Sequence, residues 1–286
     1  MPIDVTAATG AQPREGSIGW TRKDVILYHL GLGAGIPPTD ADELRYTYEK
    51  NLHVLPTFAA VAGFKAGGDL ASLPGIDVDL RAVLHGGQEV VLHGPLPPEA
   101  TDIGVRSRVA DVWDKGKAAV IVLETSAALP DGTPLYDSRS EIFVRGEGGF
   151  GGERGPSTKI DVPERDADHV VEVSTRPDQA LLYRLSGDWN PLHADPDFAK
   201  AAGFDTPILH GLCSYGVTLK AVVDTVLGGD VARVTRYRTK FAGIFFPGET
   251  MRVRVWDEGG TLHVRASSVE RDDAVVLSDT VVEYAS

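Results

Sequence analysis

A short pattern occurs twice in the chain, and its two copies lie half a chain length apart. Val112–Gly116 (VWDKG) in the first half corresponds to Val255–Gly259 (VWDEG) in the second, an offset of 143 residues in a chain of 286. Both copies lie between strand-like segments, so each is interpreted as a hairpin turn. A second pair of matches, Pro97–Glu99 and Pro247–Glu249, precedes the hairpins in the same order. Matching order in both halves predicts two duplicated α+β units.

A glycine-rich segment separates the two halves. Six of the ten residues from Gly146 to Gly155 are glycine, and Pro156 follows. Such a stretch is costly to order, so we predict an N-terminal repeat at 1–145, a linker at 146–159 and a C-terminal repeat at 160–286. The segment also contains a formal G-x-G-x-x-G, as in dinucleotide-binding loops. No apolar helical periodicity follows it, which argues against a phosphate site at a helix N-terminus.

Helix signals are few and are clearest in the second half. Asp195 as a cap, Pro196 at the first position and Gly203 as a stop predict a short helix through Ala201. A long, apolar-faced helix is predicted from Gly211 to the stop at Gly228. In the first half, we expect a capped helix from Thr21 to Leu32 and a second beginning within 56–63, whereas 180–185 looks strand-like. The simplest architecture is one helix wrapped by an antiparallel sheet, twice over.

Composition and charge narrow the function classes. The chain has 28 Lys+Arg against 41 Asp+Glu, a net charge of −13, which argues against a nucleic-acid partner because phosphate contacts need a basic face. No apolar run approaches the length of a membrane span, and the start of the chain lacks the features of a signal peptide. A single cysteine, Cys213, cannot form an internal disulfide, and the last residues lack an S-K-L type peroxisomal signal. A cytoplasmic location is predicted.

Polar, titratable and turn-forming residues are densest at 186–195 (SGDWNPLHAD). Gly187 permits a sharp turn and Pro191 favours an extended conformation at Asn190, so Asp188 and His193 can lie on one side of a tight loop. A carboxylate beside an imidazole is a proton-transfer pair, because the carboxylate orients the ring and each group tunes the other's pKa. Spacing alone leaves open the alternative that Asp188 caps a turn and His193 begins a helix.

The dipeptide His210-Gly211 opens the long helix. A helix N-terminus offers free amides and a positive dipole end, so the Gly211 amide can hold a developing oxyanion; the alternative is a simple turn. Together, the pair and the amide supply what the addition of water to an α,β-unsaturated thioester requires. These are a base for the water, a proton for the α-carbon and a donor to the enolate oxygen.

The run 183–193 (YRLSGDWNPLH), continued by Phe198-Ala199 and by 207–213 (PILHGLC), resembles the signature of the (R)-specific enoyl-CoA hydratase 2 family, also called MaoC-like dehydratases. Segments of the first half, such as 83–86 (VLHG) and 114–116 (DKG), look like the two-domain members. The resemblance implies a double hot dog fold in which only the C-terminal repeat is catalytic. It implies reversible syn addition of water to trans-2-enoyl-CoA, giving (3R)-3-hydroxyacyl-CoA, with no metal or organic cofactor.

The resemblance also assigns residue roles. Asp188 and His193 would be the catalytic pair, Asn190 would support the loop, and the Gly211 amide would stabilise the oxyanion. His85 and Gly86 would lie along the acyl or pantetheine path, Lys115 near CoA and Phe241 beside its adenine end. From the sequence alone, a strand histidine and a core aromatic are the ordinary interpretations of His85 and Phe241.

Four basic residues fall within eight positions of the second half, namely Arg233, Arg236, Arg238 and Lys240. Arg236 and Arg238 are candidates to bind CoA phosphates, with a solvated strand face as the equal alternative. The resemblance further implies an acyl-CoA or acyl-carrier-protein thioester as the partner and a homodimer as the assembly.

Two other functions compete with this hypothesis. A metal-dependent hydrolase would use Asp188, His193, Asp195 and His210, but these residues lack ligand spacing on one regular element. A non-catalytic acyl-thioester-binding subunit is hard to reconcile with an intact catalytic pair. A nucleophilic esterase is disfavoured further, because the chain has no G-x-S-x-G and Cys213 looks like a core residue.

Overall fold

A computed structural model of the chain describes residues 3–63, 70–157 and 159–286, and its largest element is one antiparallel sheet. The ten strands are β1 Arg14–Trp20, β2 Val83–Leu92, β3 Ala100–Asp114, β4 Ala118–Ala128, β5 Pro134–Arg145, β6 His169–Ser174, β7 Val234–Phe241, β8 Thr250–Asp257, β9 Thr261–Ser268 and β10 Ala274–Tyr284. Their order is β1-β3-β4-β5-β2-β7-β10-β9-β8-β6. The five strands of each half stay together, and outward from the seam between β2 and β7 the two sets follow the same order of equivalent strands, β2-β5-β4-β3-β1 and β7-β10-β9-β8-β6.

Seven helices are described, together with short 3₁₀ turns. They are α1 Val5–Gly10, α2 Arg22–Gly31, α3 Ala41–Thr47, α4 Phe58–Ala62, α5 Gln179–Tyr183, α6 Pro196–Ala201 and α7 Gly211–Val226. No helix in the described parts of the chain is long and apolar enough to cross a membrane. Few helices on a large antiparallel sheet confirm the α+β class.

Most local predictions are confirmed. Both repeated patterns form the turns of hairpins, β3–β4 and β8–β9. Helix α2 begins with a capping box, in which Thr21 and Asp24 exchange side-chain and backbone hydrogen bonds. Helix α6 is capped by Asp195, whose carboxylate accepts from the amides of Asp197 and Phe198.

The strand expected at 180–185 is wrong. This segment forms α5 followed by a 3₁₀ turn, Arg184–Ser186. The reason is tertiary: Gln179, Ala180 and Tyr183 share the buried face of α5, and the Gln179 side chain donates to the carbonyl of Gly31 in α2 at 2.5 Å. Packing against another helix overrides the local pattern.

The core of the second half is built around α7, which is buried along most of its length and contacts β6, β7, β8 and β10. Gly216 lets α2 approach, because a Cβ atom there would lie 2.6 Å from the Leu32 side chain. In the first half the described helix α4 has only five residues, and a cavity of about 240 Å³ lies beside it. Its wall includes Ala59, Val83, His85, Leu123 and Ile142.

Candidate active site

The loop between α5 and α6 turns sharply and is held by its own side chains. Gly187 has a φ of 129°, which a residue with a side chain adopts only with strain. The backbone amide of Asn190 donates to the Asp188 carboxylate at 3.1 Å. The side-chain oxygen of Asn190 accepts from the backbone amide of Leu192 at 3.0 Å. Leu192 is buried and anchors the loop. Asn190 therefore fixes the conformation that presents Asp188 and His193.

His193 is buried and its tautomer follows from its contacts. Its Nδ1 lies 2.8 Å from the carbonyl oxygen of Ile208, which can only accept, so Nδ1 carries the proton and Nε2 keeps a lone pair. Burial lowers the pKa of His193, and the nearby Asp188 charge opposes that shift. The ring is thereby disposed to be neutral and to accept a proton through Nε2.

His210 joins this pair. The donor or acceptor atoms of Asp188, His193 and His210 all lie within 4.8 Å of one another. The two imidazoles stack with centroids 3.7 Å apart and planes 28° from parallel. His210 Nε2 lies 3.3 Å from the Asp188 carbonyl oxygen, which assigns its proton to Nε2. Burial lowers the pKa of His210 to about 2, so the ring is neutral.

Sequence reasoning named His210 only as a possible metal ligand and as the residue before the long helix. The stacked contact was missed, because no local pattern reports the distance between residues 17 positions apart. The one usable signal was its adjacency to Gly211. Of the four residues that the competing metal-dependent hydrolase would use, Asp195 instead caps α6.

Gly211 is the first residue of α7, whose cap residue, His210, makes no side-chain hydrogen bond to the first-turn amides. A Cβ atom at Gly211 would lie 3.1 Å from two ring atoms of Phe241, so a larger residue here requires the Phe241 ring or the helix end to shift. The 16-residue helix begins directly after His210, whose ring stacks on His193, so its N-terminal end lies beside the loop that carries Asp188 and His193.

His85 reaches the same region from the other half of the sheet. Its ring centroid lies 4.8 Å from that of Phe241, and its Nε2 is buried without a hydrogen-bond partner among the described residues. Burial lowers the pKa of His85 to about 4, with the Asp188 charge acting in the opposite direction. Phe241 thus lies between His85 and Gly211.

The seam between β2 and β7 opens at this point. The two strands are paired from Gly87↔Lys240 to Val91↔Arg236, so Gly86 and Phe241 lie just beyond the end of the ladder. Outside the seam is a groove of about 290 Å³, whose lining includes the cations of Lys115, Arg238 and Lys240 and the carboxylate of Glu141, together with Gly86, Trp113 and Pro156. We call it the outer groove.

The structure therefore brings Gly86, Lys115 and Arg238 together but leaves Arg236 apart. Arg236 pairs with Glu89 at 3.0 Å and with Glu283 at 2.9 Å. No ion pair joins Arg238 to any residue in the described ranges. Arg238 is thus the better placed of the two arginines to bind a phosphate in the groove.

Comparison with known proteins covers almost the whole chain. Residues 159–278 match the family "MaoC like domain", and residues 19–146 match "MFE-2 hydratase 2 N-terminal domain". The chain is 50% identical over 280 residues to enoyl-CoA hydratase ChsH3 of Mycobacterium tuberculosis, covering 97% of this chain and 98% of that protein. It is 40% identical over 273 residues to the peroxisomal enoyl-CoA hydratase 2 of Arabidopsis thaliana, covering 90% and 88%.

A solved structure agrees with these matches. The crystal structure of a MaoC-like dehydratase from Phytophthora capsici superposes with a TM-score of 0.87 at 33% identity, covering 99% of each chain. The likeness confirms the double hot dog fold predicted from the sequence.

Proposed function

Because the chain belongs to the enoyl-CoA hydratase 2 family of MaoC-like dehydratases, we propose that it adds water reversibly to trans-2-enoyl-CoA, in the syn sense, to give (3R)-3-hydroxyacyl-CoA. The observation that carries the proposal is the approach of the Asp188 carboxylate to the His193 ring, whose Nε2 keeps its lone pair, beside the N-terminal end of α7. A spacing of up to 4.8 Å lets one water molecule bond to both side chains.

The chemistry follows from these groups. His193 Nε2 accepts a proton from the water while the Asp188 carboxylate orients it, and the water oxygen bonds to C3 of the enoyl group. The electron pair of the C2–C3 bond moves toward the thioester oxygen, where the Gly211 amide stabilises the enolate. Asp188 and His193 then return a proton to C2 on the same face of the substrate, so the addition is syn. Dehydration is the same path in reverse.

The substrate path crosses the sheet at its seam. The acyl chain would enter the cavity beside α4, whose wall includes His85, and the thioester would lie at Gly211. The pantetheine arm would pass Gly86, and the CoA phosphates would meet Lys115 and Arg238 in the outer groove. We place Phe241 beside the thioester instead of the adenine, because its ring packs against Gly211.

The division into 1–145, 146–159 and 160–286 fits this assignment, with the catalytic residues in the C-terminal repeat and the acyl cavity in the N-terminal one. The absence of a metal or organic cofactor, the homodimer, the cytoplasmic location and the choice between CoA and acyl-carrier protein stay predictions. A non-catalytic thioester-binding subunit stays the alternative.

A metal-dependent hydrolase deserves a test because Asp188, His193 and His210 lie close together. The two imidazoles are nearly parallel, however, so their in-plane lone pairs do not converge on one ion at the usual 2.0–2.1 Å. Prolonged dialysis against a chelator should leave hydratase activity intact. Loss of activity that added Zn²⁺ restores would favour the metal.

The deciding experiment offers the purified protein trans-2-enoyl-CoA substrates of C4 to C16 and analyses product chirality. We expect (3R)-3-hydroxyacyl-CoA, with the preferred length reporting the acyl cavity. An S product would refute the proposal, and binding of enoyl-CoA without turnover would support the non-catalytic alternative.

A further inference from the structure

The glycine-rich segment, expected to be a linker, packs against the β3–β4 hairpin. We call residues 146–157 the glycine strap. Asp114 at the hairpin tip accepts hydrogen bonds from the amides of Gly116 at 2.7 Å, Gly149 at 2.8 Å and Gly151 at 2.8 Å. The Asp114 amide donates to the Glu153 carbonyl at 2.7 Å. One side chain, only 6% exposed, thus ties the strap to the hairpin.

Two glycines of the strap are required by contact rather than by flexibility. A Cβ atom at Gly155 would lie 2.2 Å from the Trp113 ring, and one at Gly148 would lie 2.5 Å from the Ala118 amide nitrogen. Gly155 also has a φ of 67°. The strap therefore lies against the hairpin at distances that no other residue type permits.

The end of the strap forms a wall of the outer groove. Pro156 lines the groove together with Trp113, Lys115 and Arg238. Lys115 Nζ donates to the Arg154 carbonyl of the strap and lies 5.0 Å from the Trp113 ring centroid. The strap thus sets both the shape of the groove and the position of one of its cations.

The repeated pattern supplies an internal comparison. Asp257 occupies the place of Asp114 in the second hairpin, and its carboxylate accepts from the Gly259 amide at 2.9 Å and from the Tyr284 hydroxyl at 3.1 Å. Among the described residues, no amide outside its own turn donates to it. The shared Asp makes the turn in both repeats, but only the Asp114 carboxylate also accepts backbone amides of a second segment.

We propose that Asp114 is a positioning residue for CoA recognition: by fixing the glycine strap, it holds Pro156 and Lys115 against the nucleotide end of the substrate. This inference rests on the proposed function, since it takes CoA as the occupant of the outer groove. Arg238 and Lys240 of the groove alternate along β7 with Tyr237 and Phe241, which contact α7, so the groove and the catalytic pair lie on opposite faces of the sheet and the thioester chemistry does not depend on Asp114.

The test compares a full and a truncated substrate in Asp114→Asn, with Asp257→Asn as the matched control. For crotonyl-CoA, Asp114→Asn should raise KM about tenfold with little change in kcat, since a cation and a wall of the phosphate site are displaced. For crotonyl-N-acetylcysteamine, which lacks the nucleotide, kcat/KM should stay within about twofold of wild type. Asp257→Asn should not raise the KM for crotonyl-CoA selectively over that for crotonyl-N-acetylcysteamine.

A second variant tests the same inference while keeping the Asp114 carboxylate. Gly155→Ala pushes the strap off Trp113 and should reproduce the KM effect. Gly146→Ala has a similar positive φ, 81°, but no atom within 4 Å of the added Cβ, and serves as its control. Thermal melting confirms that each variant is folded.

Calorimetric titration with free CoA separates the two hypotheses. Weaker CoA binding by Asp114→Asn supports the inference even if the wild-type chain hydrates neither thioester, in which case only the proposed reaction fails. Wild-type KM and CoA affinity in folded Asp114→Asn would overturn the inference while leaving the hydratase assignment standing. An equal loss on both substrates would also overturn it, by assigning Asp114 a general structural role.

Discussion

The imidazole rings of His193 and His210 stack with their centroids 3.7 Å apart, and burial lowers the pKa of both. One ring presents a lone pair beside Asp188, while the other donates toward the Asp188 backbone carbonyl. The two histidines thus have different roles. His193 is the base, whereas His210 holds the His193 ring and the Asp188 backbone in place.

The catalytic pair should be indispensable. Asp188→Asn and His193→Gln each remove one proton-handling group while keeping its approximate shape, so kcat should fall about 10²- to 10⁴-fold. Steady-state hydration of crotonyl-CoA measures this, with thermal melting as the check on folding. Near-wild-type turnover in either folded variant would remove the residue from the mechanism.

His210 should act by position rather than by proton transfer. His210→Phe keeps a ring to stack on His193 but loses the donor to the Asp188 carbonyl, so kcat should fall about tenfold with KM nearly unchanged. In His210→Ala the stacking on His193 is lost as well, so kcat should fall further. The acid limb of the pH profile should move in both variants if His193 has been repositioned. Wild-type kcat in both would contradict this role.

Gly211 and Phe241 should be coupled. In Gly211→Ala the new methyl carbon would lie 3.1 Å from the Phe241 ring, so the ring or the helix end must shift and kcat/KM should drop about tenfold or more. Phe241→Leu frees space and should restore part of that loss in the double variant. A double-mutant cycle measures the coupling. Strictly additive losses would show that the contact with Phe241 is not the cause of the lower kcat/KM in Gly211→Ala.

The two arginines of β7 should differ. Arg238→Gln should raise KM for crotonyl-CoA several-fold, and the effect should shrink at high salt because it depends on charge attraction. Arg236→Gln is the matched control, since its guanidinium is already held by Glu89 and Glu283. A larger KM effect at Arg236 than at Arg238 would place the phosphates elsewhere.

Stability should fall in mild acid. His29 is fully buried between the Tyr46 carbonyl and the Leu55 amide, and burial lowers its pKa from 6.5 to about 4. The unfolded chain therefore binds the proton first, and stability decreases as pH drops from about 6.5 to about 4, by up to about 1.4 kcal/mol per pH unit for each such histidine. His85 has a similarly lowered pKa.

Denaturant unfolding at pH 7.5, 6 and 5 measures this slope. His29→Gln should be less stable than wild type at pH 7.5. Because the Gln amide keeps hydrogen-bonding capacity but does not titrate, the free energy of unfolding should fall less steeply with decreasing pH, by an amount that corresponds to about one bound proton. An unchanged slope in His29→Gln would assign the acid sensitivity to other groups.

The sequence by itself determined the features that depend on interactions between residues close together in the chain, namely turns, helix ends and one loop. The alternation around Trp113 and Trp256, the Thr21 cap and the Asp195 cap predict hairpins and helix ends that the structure confirms. The same is true of the loop from Gly187 to His193, whose turn and short hydrogen bonds lie within a few residues of chain. The family resemblance supplied the roles of its side chains.

Only the tertiary structure decided the features that depend on contacts between segments far apart in the chain. Residues 180–185 form a helix because Gln179 and Tyr183 pack on α2, which no local alternation reports. The stacked pair of histidines, the opening at Gly86 and Phe241, and the outer groove all join segments far apart in the chain. The glycine strap shows the limit most clearly: its composition indicated a costly, flexible stretch, whereas the carboxylate of Asp114 and the face of Trp113 hold it in place.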